Sequence, residues 1–201
     1  MIDVPILRGH WIRLEPLDEV HRERLRVAAN DERIWTNTIV RADGANFDAW
    51  FNSLLAERVS GRWLPFAIRR DAGQAMVGST SYLDIALKHR RLEIGATWYR
   101  PDTWGTAVNP ECKLLLLTHA FEVLDVQRVA FITDVRNLHS QAAIAKLGAT
   151  REGVLRSHMT SQGGRMRDSV VFSIIASEWS TIREKLRSRI APDTNSPSRA
   201  S

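Results

Sequence analysis

Four short stretches of the chain hold residue types able to do chemistry together. In "WGTAVN", Trp104 is followed by the small residues Gly105, Thr106 and Ala107, then by Val108 and Asn109, directly before an apolar run. Small residues let a backbone approach a ligand, and the first amides of a helix are unpaired and positively polarised. The amides from Gly105 to Val108 can therefore point together at a phosphate. The alternative is a tight turn in which Asn109 caps the helix by itself, with Pro110 in the first helical position and Glu111 at the positive end. In "DVRNLHSQ", Asn137 opens a second, Ala-rich helix and Ser140 follows three residues on; singly they read as an N-cap and a first-turn residue. Glu93, in "RLEIGATWY", alternates with Leu92 and Ile94, so its carboxylate leaves the apolar face. It is either a proton acceptor or a surface partner for Arg90 or Arg91. His158 reads as a base for work near neutral pH or as a surface or structural histidine.

The elements that must position these residues follow from periodicity. Residues 11–17 alternate as a first strand, Asp18 caps a helix to about Asn30, and a second helix spans residues 46–60 with Gly61 as its stop. Residues 64–69, 75–83 and 92–99 predict an antiparallel meander. A helix over 109–124 leads to a strand at 126–133, and a helix over 138–147 closes at Gly148. Strands at 151–159 and 168–175 flank the hairpin "TSQGGRM", and a last helix covers 178–189. The order predicts an α/β fold, a mixed sheet with helices on both faces. Two helix starts after two successive strands would place donors on both sides of one crevice at the strands' carboxyl ends. Residues 1–190 read as one domain, and residues 191–201, rich in Pro and Ser, as a disordered tail. Trp35, Trp50, Phe51 and Tyr82 line an acceptor cleft or belong to the core.

The 201 residues are 44% hydrophobic and 25% charged, an ordinary composition for one domain with a real core. The single cysteine, Cys112, excludes an internal disulfide and a Cys-based zinc site, and a reduced cytoplasmic protein is expected. No window reaches the roughly 18 apolar residues of a membrane span, so no membrane partner is expected. The net charge of +5 is spread among both signs without a basic aromatic motif, which argues against nucleic acid and for small anionic ligands.

"LEIGATWYRPDTWGTAVN", "TDVRNLHSQAAIAKLGATREGVLR" and "RDSVVFSI" resemble the GCN5-related N-acetyltransferase (GNAT) superfamily, and within it the RimJ/RimL-type branch. The similarity runs in order over residues 4–186; Asn-x-x-Ser-(x)6-Leu-Gly-Ala/Phe is its most specific element. It implies a mostly antiparallel central sheet in which two splayed parallel strands, residues 92–99 and 126–133, bind acetyl-CoA. It places Thr97, Trp98 and Tyr99 beside pantetheine and Trp104, Gly105, Thr106, Ala107, Val108 and Asn109 at the pyrophosphate. It makes Asn137 a pantetheine contact, Ser140 the donor to the CoA sulfur and Glu93 the general base. The family's loop reads Arg/Gln-Gly-x-Gly-x-Gly/Ala. Here Trp104 replaces the basic residue, which should weaken cofactor binding. Where some RimL-like enzymes carry a further carboxylate this chain has Met159, with His158 beside it. The implied activity is direct acetyl transfer from acetyl-CoA to a primary amine, a protein amino terminus or a small amine, without a metal. Other readings are a larger acyl donor such as succinyl-CoA, which a basic pocket residue near the acyl end would favour, or a non-catalytic acyl-CoA-binding module. A homodimer is compatible with the family.

Overall fold

The strands alternate apolar and polar side chains, so pairing them makes a sheet with two faces, each of which must be covered. In a computed structural model that describes residues 4–190, eight strands form that sheet: β1 (Leu7–Arg8), β2 (Ile12–Pro16), β3 (Leu64–Arg70), β4 (Met76–Ala86), β5 (Arg91–Tyr99), β6 (Arg128–Asp134), β7 (Thr150–Thr160) and β8 (Met166–Ile175). Their order is β1-β2-β3-β4-β5-β6-β8-β7. Only β5 and β6 run parallel; the other pairs are antiparallel. The helices are α1 (Arg22–Ala29), α2 (Phe47–Val59), α3 (Val108–Thr118), α4 (Leu138–Leu147) and α5 (Trp179–Ile190). The expected tail, residues 191–201, lies outside the described residues.

Two apolar clusters lie on the two faces. One joins Leu92, Ile94, Val129, Phe131, Val170 and Phe172 to Cys112, Leu116, Ile144, Ile182 and Leu186, residues of α3, α4 and α5. The other joins Leu25, Trp35, Phe47, Trp50, Phe51 and Trp98 under α1 and α2. Trp35, Trp50 and Phe51 are therefore core residues, with Trp35, Trp50 and Trp98 in mutual contact at centroid separations of 5.3–6.2 Å. Tyr82 belongs to the opposite face, fully buried, where its hydroxyl donates to the Leu116 carbonyl at 2.6 Å. It does not line a cleft.

Two sequence expectations need correction, and one short strand was not expected. The helix expected over 109–124 is α-helical only to Thr118 and continues as a π turn, His119–Val123. Its cap is not Asn109. The helix begins at Val108, no side chain caps it, and Asn109 Oδ1 instead accepts from the Tyr99 hydroxyl at 2.9 Å. The two-residue β1 carries no periodicity to betray it.

Glu111, expected only to suit the helix start, has a larger task. Its buried carboxylate accepts from the backbone amides of His10, Trp11 and Ile12 at 2.7–2.8 Å, tying α3 to the β1–β2 turn. A Cβ on Gly9 would lie 2.4 Å from that carboxyl carbon, so Gly9 is what admits it. Glu111→Gln puts amide hydrogens where amides already donate and removes the charge. It should cost about 2 kcal/mol of unfolding free energy in chemical denaturation.

Candidate active site

The parallel pair is joined only at its beginning. Arg91, Leu92 and Glu93 pair with Arg128, Val129 and Ala130, and beyond them β5 and β6 part. The backbone groups of β5 after Glu93 thus have no partner on the β6 side, while β6 remains fully paired to β8. The cause lies in β5 itself. Ser79 pairs with Trp98 and Ser81 with Gly95, so Ala96 and Thr97 together face Thr80: one extra residue, a β-bulge, with Ala96 at φ +47. A bulge sharpens local twist and turns the strand aside. It also resets the alternation. Leu92, Ile94, Thr97 and Tyr99 face α3, whereas Glu93, Gly95 and Trp98 face the α1–α2 side. Gly78 makes room for the bulge, since a Cβ there would come within 2.2 Å of the Trp98 carbonyl oxygen.

Behind the bulge stands a buried cation. Lys113 Nζ donates to Thr97 Oγ1 at 3.1 Å, and Thr97 Oγ1 lies 2.7 Å from Thr80 Oγ1. No acid pairs with this lysine among the described residues, and burial pushes its pKa down. Lys113 braces the strand from the α3 side. In the sequence its only signal is a lone charge between Cys112 and an apolar run.

Glu93 sits at the closed end of the opening, half-buried on the α1–α2 side. Neither expected partner takes it: Arg90 pairs with Asp125 and Arg91 with Asp84. Its carboxyl pKa is pushed up to about 7, first by burial and then by the like charge of Asp84, with Arg167 pulling against the rise. Gly95 leaves space for it, because a Cβ at that position would stand 2.9 Å from Glu93 Oε1.

Because β5 and β6 are parallel, the segments that follow them emerge at the same end of the sheet. After β5 comes the loop of Trp104, Gly105, Thr106, Ala107, Val108 and Asn109. The Val108 amide donates to Thr106 Oγ1 at 3.3 Å and the Thr106 amide to the Thr103 carbonyl, but the amides of Gly105, Ala107 and Asn109 find no acceptor among the described residues. Gly105 supplies the φ of +76 that turns the loop. Trp104 is half-exposed and its indole donates to the Tyr99 carbonyl at 3.0 Å. This loop also walls one side of a cleft of ≈ 510 Å³ shared with His10, Trp11, Arg70 and Ala72, distinct from the β5–β6 opening.

After β6 comes α4, where Asn137 Oδ1 accepts from the Ser140 amide at 2.9 Å as a true N-cap. The Ser140 hydroxyl makes no hydrogen bond among the described residues. His158 is exposed on β7, next to a bulge at Ser157 (φ +47), and its Nδ1 lies 3.0 Å from Ser169 Oγ. The fold thus gathers the loop, Asn137 and Ser140 at one end of the parting strands and Glu93 at their closed end. His158 stands apart, two strands away.

An open, mostly antiparallel sheet whose single parallel pair splays, with two helix starts at the mouth, is the fold of acyltransferases of the N-acetyltransferase type. The acetyltransferase (GNAT) domain family matches residues 12–150, and the chain belongs to it. The uncharacterized N-acetyltransferase YoaA of Bacillus subtilis (strain 168) is 30% identical over 125 residues, 62% of this chain and 68% of that one. A GCN5-related N-acetyltransferase from Brucella melitensis superposes with a TM-score of 0.88 at 27% identity, covering 96% of this chain and 88% of the other. RimJ of Mycobacterium smegmatis, solved in complex with CoA-disulfide, shares the fold with a TM-score of 0.72 at 22% identity over 88% of each chain. No helix among the described residues is long and apolar enough to cross a membrane.

Proposed function

We propose that the protein transfers an acetyl group from acetyl-CoA to a primary amine by direct attack, with Glu93 as the base. The observation that carries this reading is Glu93 itself: a partnerless carboxylate with a pKa of about 7, held beside the open edge of β5. An amine must lose a proton to attack, and a base poised near the working pH removes it with the least sacrifice of ionised fraction. His158, exposed and linked through Ser169, is the second candidate for that proton.

The residues present fit the co-substrate. Three amides without acceptors, at Gly105, Ala107 and Asn109, suit a pyrophosphate at the start of α3. The unpaired edge of β5 at Thr97, Trp98 and Tyr99 suits strand-like hydrogen bonds to pantetheine. Asn137 spends its Oδ1 on the Ser140 amide and keeps its Nδ2 for a ligand carbonyl. Ser140 keeps a free hydroxyl to donate to a departing thiolate. When bound, acetyl-CoA supplies the activated acyl carbon; the chain supplies the base, the proton donor and the polar seat.

The test is free-thiol release from acetyl-CoA with a panel of small amines and amino-terminal peptides. Acceptor-dependent release is expected, with kcat lowered about a hundredfold in Ser140→Ala, the modest end for a single proton donor. Absence of any acetyl-CoA binding would overturn the reading.

A further inference from the structure

Among the described residues one buried guanidinium has no acidic partner. Arg167, on β8, is 5% exposed, yet it forms no salt bridge and its one hydrogen bond is from Nε to Ser169 Oγ at 2.9 Å. The acid at the end of β6, Asp134, which lies across from Ser169, is already paired with Arg165 and accepts from the Arg136 amide. Among the described residues Nη1 and Nη2 find no acceptor, and neither is one of the sealed polar atoms such as Trp98 Nε1.

The β8 register fixes where this side chain sits. Ser169 faces Asp134 and Ser173 faces Ala130, which in turn pairs with Glu93. Arg167 precedes Ser169 by two residues, so it lies just beyond the Asp134 pair at the mouth end of the strands, on the same face as Glu93, the α1–α2 side, away from the cluster of Val170, Phe172 and Ile174. Its charge acts directly on the Glu93 carboxyl. Asp134 and Glu93 attract it without touching it. Burying a guanidinium without a hydrogen-bonded counter-ion is costly, and a fork left open at the mouth end of the parting strands is the arrangement that a planar carboxylate completes with two parallel hydrogen bonds.

We propose that Arg167 is a specificity residue that binds a carboxylate of the substrate through Nη1 and Nη2. This rests on the acyltransfer reading above. Such a carboxylate has two sources: the α-carboxylate of an amino-acid acceptor, or the terminal carboxylate of a dicarboxylic acyl-CoA.

Calorimetry on the full chain separates them without needing turnover. One arm compares N-acetyl amino acids with their carboxamides; the other compares succinyl-CoA with acetyl-CoA. In the wild type one arm should favour the carboxylate on the order of tenfold or more, and Arg167→Gln should erase that preference. Arg167→Lys keeps the charge but loses the fork, so it should retain only part of it. Melting temperatures of both variants report folding, and acetyl-CoA affinity reports the parent reading by itself. A preference in the acceptor arm assigns amino acids, and one in the donor arm assigns the larger acyl group. No preference in either arm while acetyl-CoA still binds overturns the carboxylate proposal alone; no acetyl-CoA binding by the wild type overturns both.

Discussion

Glu93→Gln should lower kcat/KM by about a hundred- to ten-thousandfold at neutral pH, the range for losing a positioned general base. The shape of the pH profile identifies the group more sharply than the size of the loss. Glu93 works as a carboxylate, so activity in the wild type should rise with pH through about 7 and level off above it. That limb should vanish in the glutamine variant. The charged groups that act on Glu93 give two directional checks. Asp84→Asn removes a like charge and should move the limb to lower pH, and Arg167→Gln removes an attracting one and should move it up. Stability should change the other way from activity. A carboxyl whose pKa is raised on folding favours the fold when protonated; that contribution is complete below the unfolded value of 4.5 and is lost as pH rises through about 7. The glutamine variant should therefore be no less stable than the wild type at pH 8, and the two should converge below pH 4.5. Persistence of the limb near 7 in the variant would move the base to another residue, His158 first.

Much of this architecture is legible in the chain. The α4 helix runs from Leu138 to Leu147 as its Asn137 start and Gly148 stop predict, and β5 spans Arg91–Tyr99, one residue more than expected. What escaped is what depends on partners distant in sequence. Asn109 has every mark of a cap, but Tyr99, ten residues earlier, takes its side-chain oxygen, and the helix start is left uncapped. Whether Glu93 was spoken for depended on Arg90 and Arg91 choosing Asp125 and Asp84 instead. Nothing about Ala96 announces a positive φ, so the bulge that parts β5 from β6 is invisible until β4 is laid beside it. Lys113 and Arg167 read as solvated charges by residue type, and only packing shows that both are buried, one behind the β5 bulge and the other on the Glu93 face of β8. Local pattern thus located the two helix starts, while tertiary contacts set the electrostatics around them.

Ala107→Asp should reduce acetyl-CoA affinity about a hundredfold while leaving the protein equally or slightly more stable. The two effects share a cause and differ in sign. Ala107 stands at the start of α3 with φ −66 and ψ −13, a conformation any side chain adopts, and no side chain caps this helix. A carboxylate there meets the positive end of the helix, worth about 0.3–1 kcal/mol to the fold. It also occupies, with the same sign of charge, the place where the free amides of Gly105, Ala107 and Asn109 would receive a pyrophosphate. Two like charges about 4 Å apart near a protein surface repel by roughly 4 kcal/mol, enough for a hundredfold loss after partial screening by salt. Ala107→Asn, similar in size and uncharged, should lose much less, and raising the salt concentration should narrow the gap between the two variants. Calorimetric titration with CoA and a thermal melt measure both halves. An aspartate that stabilises the helix without touching CoA affinity would place the pyrophosphate elsewhere, and with it the assignment of this loop would fall.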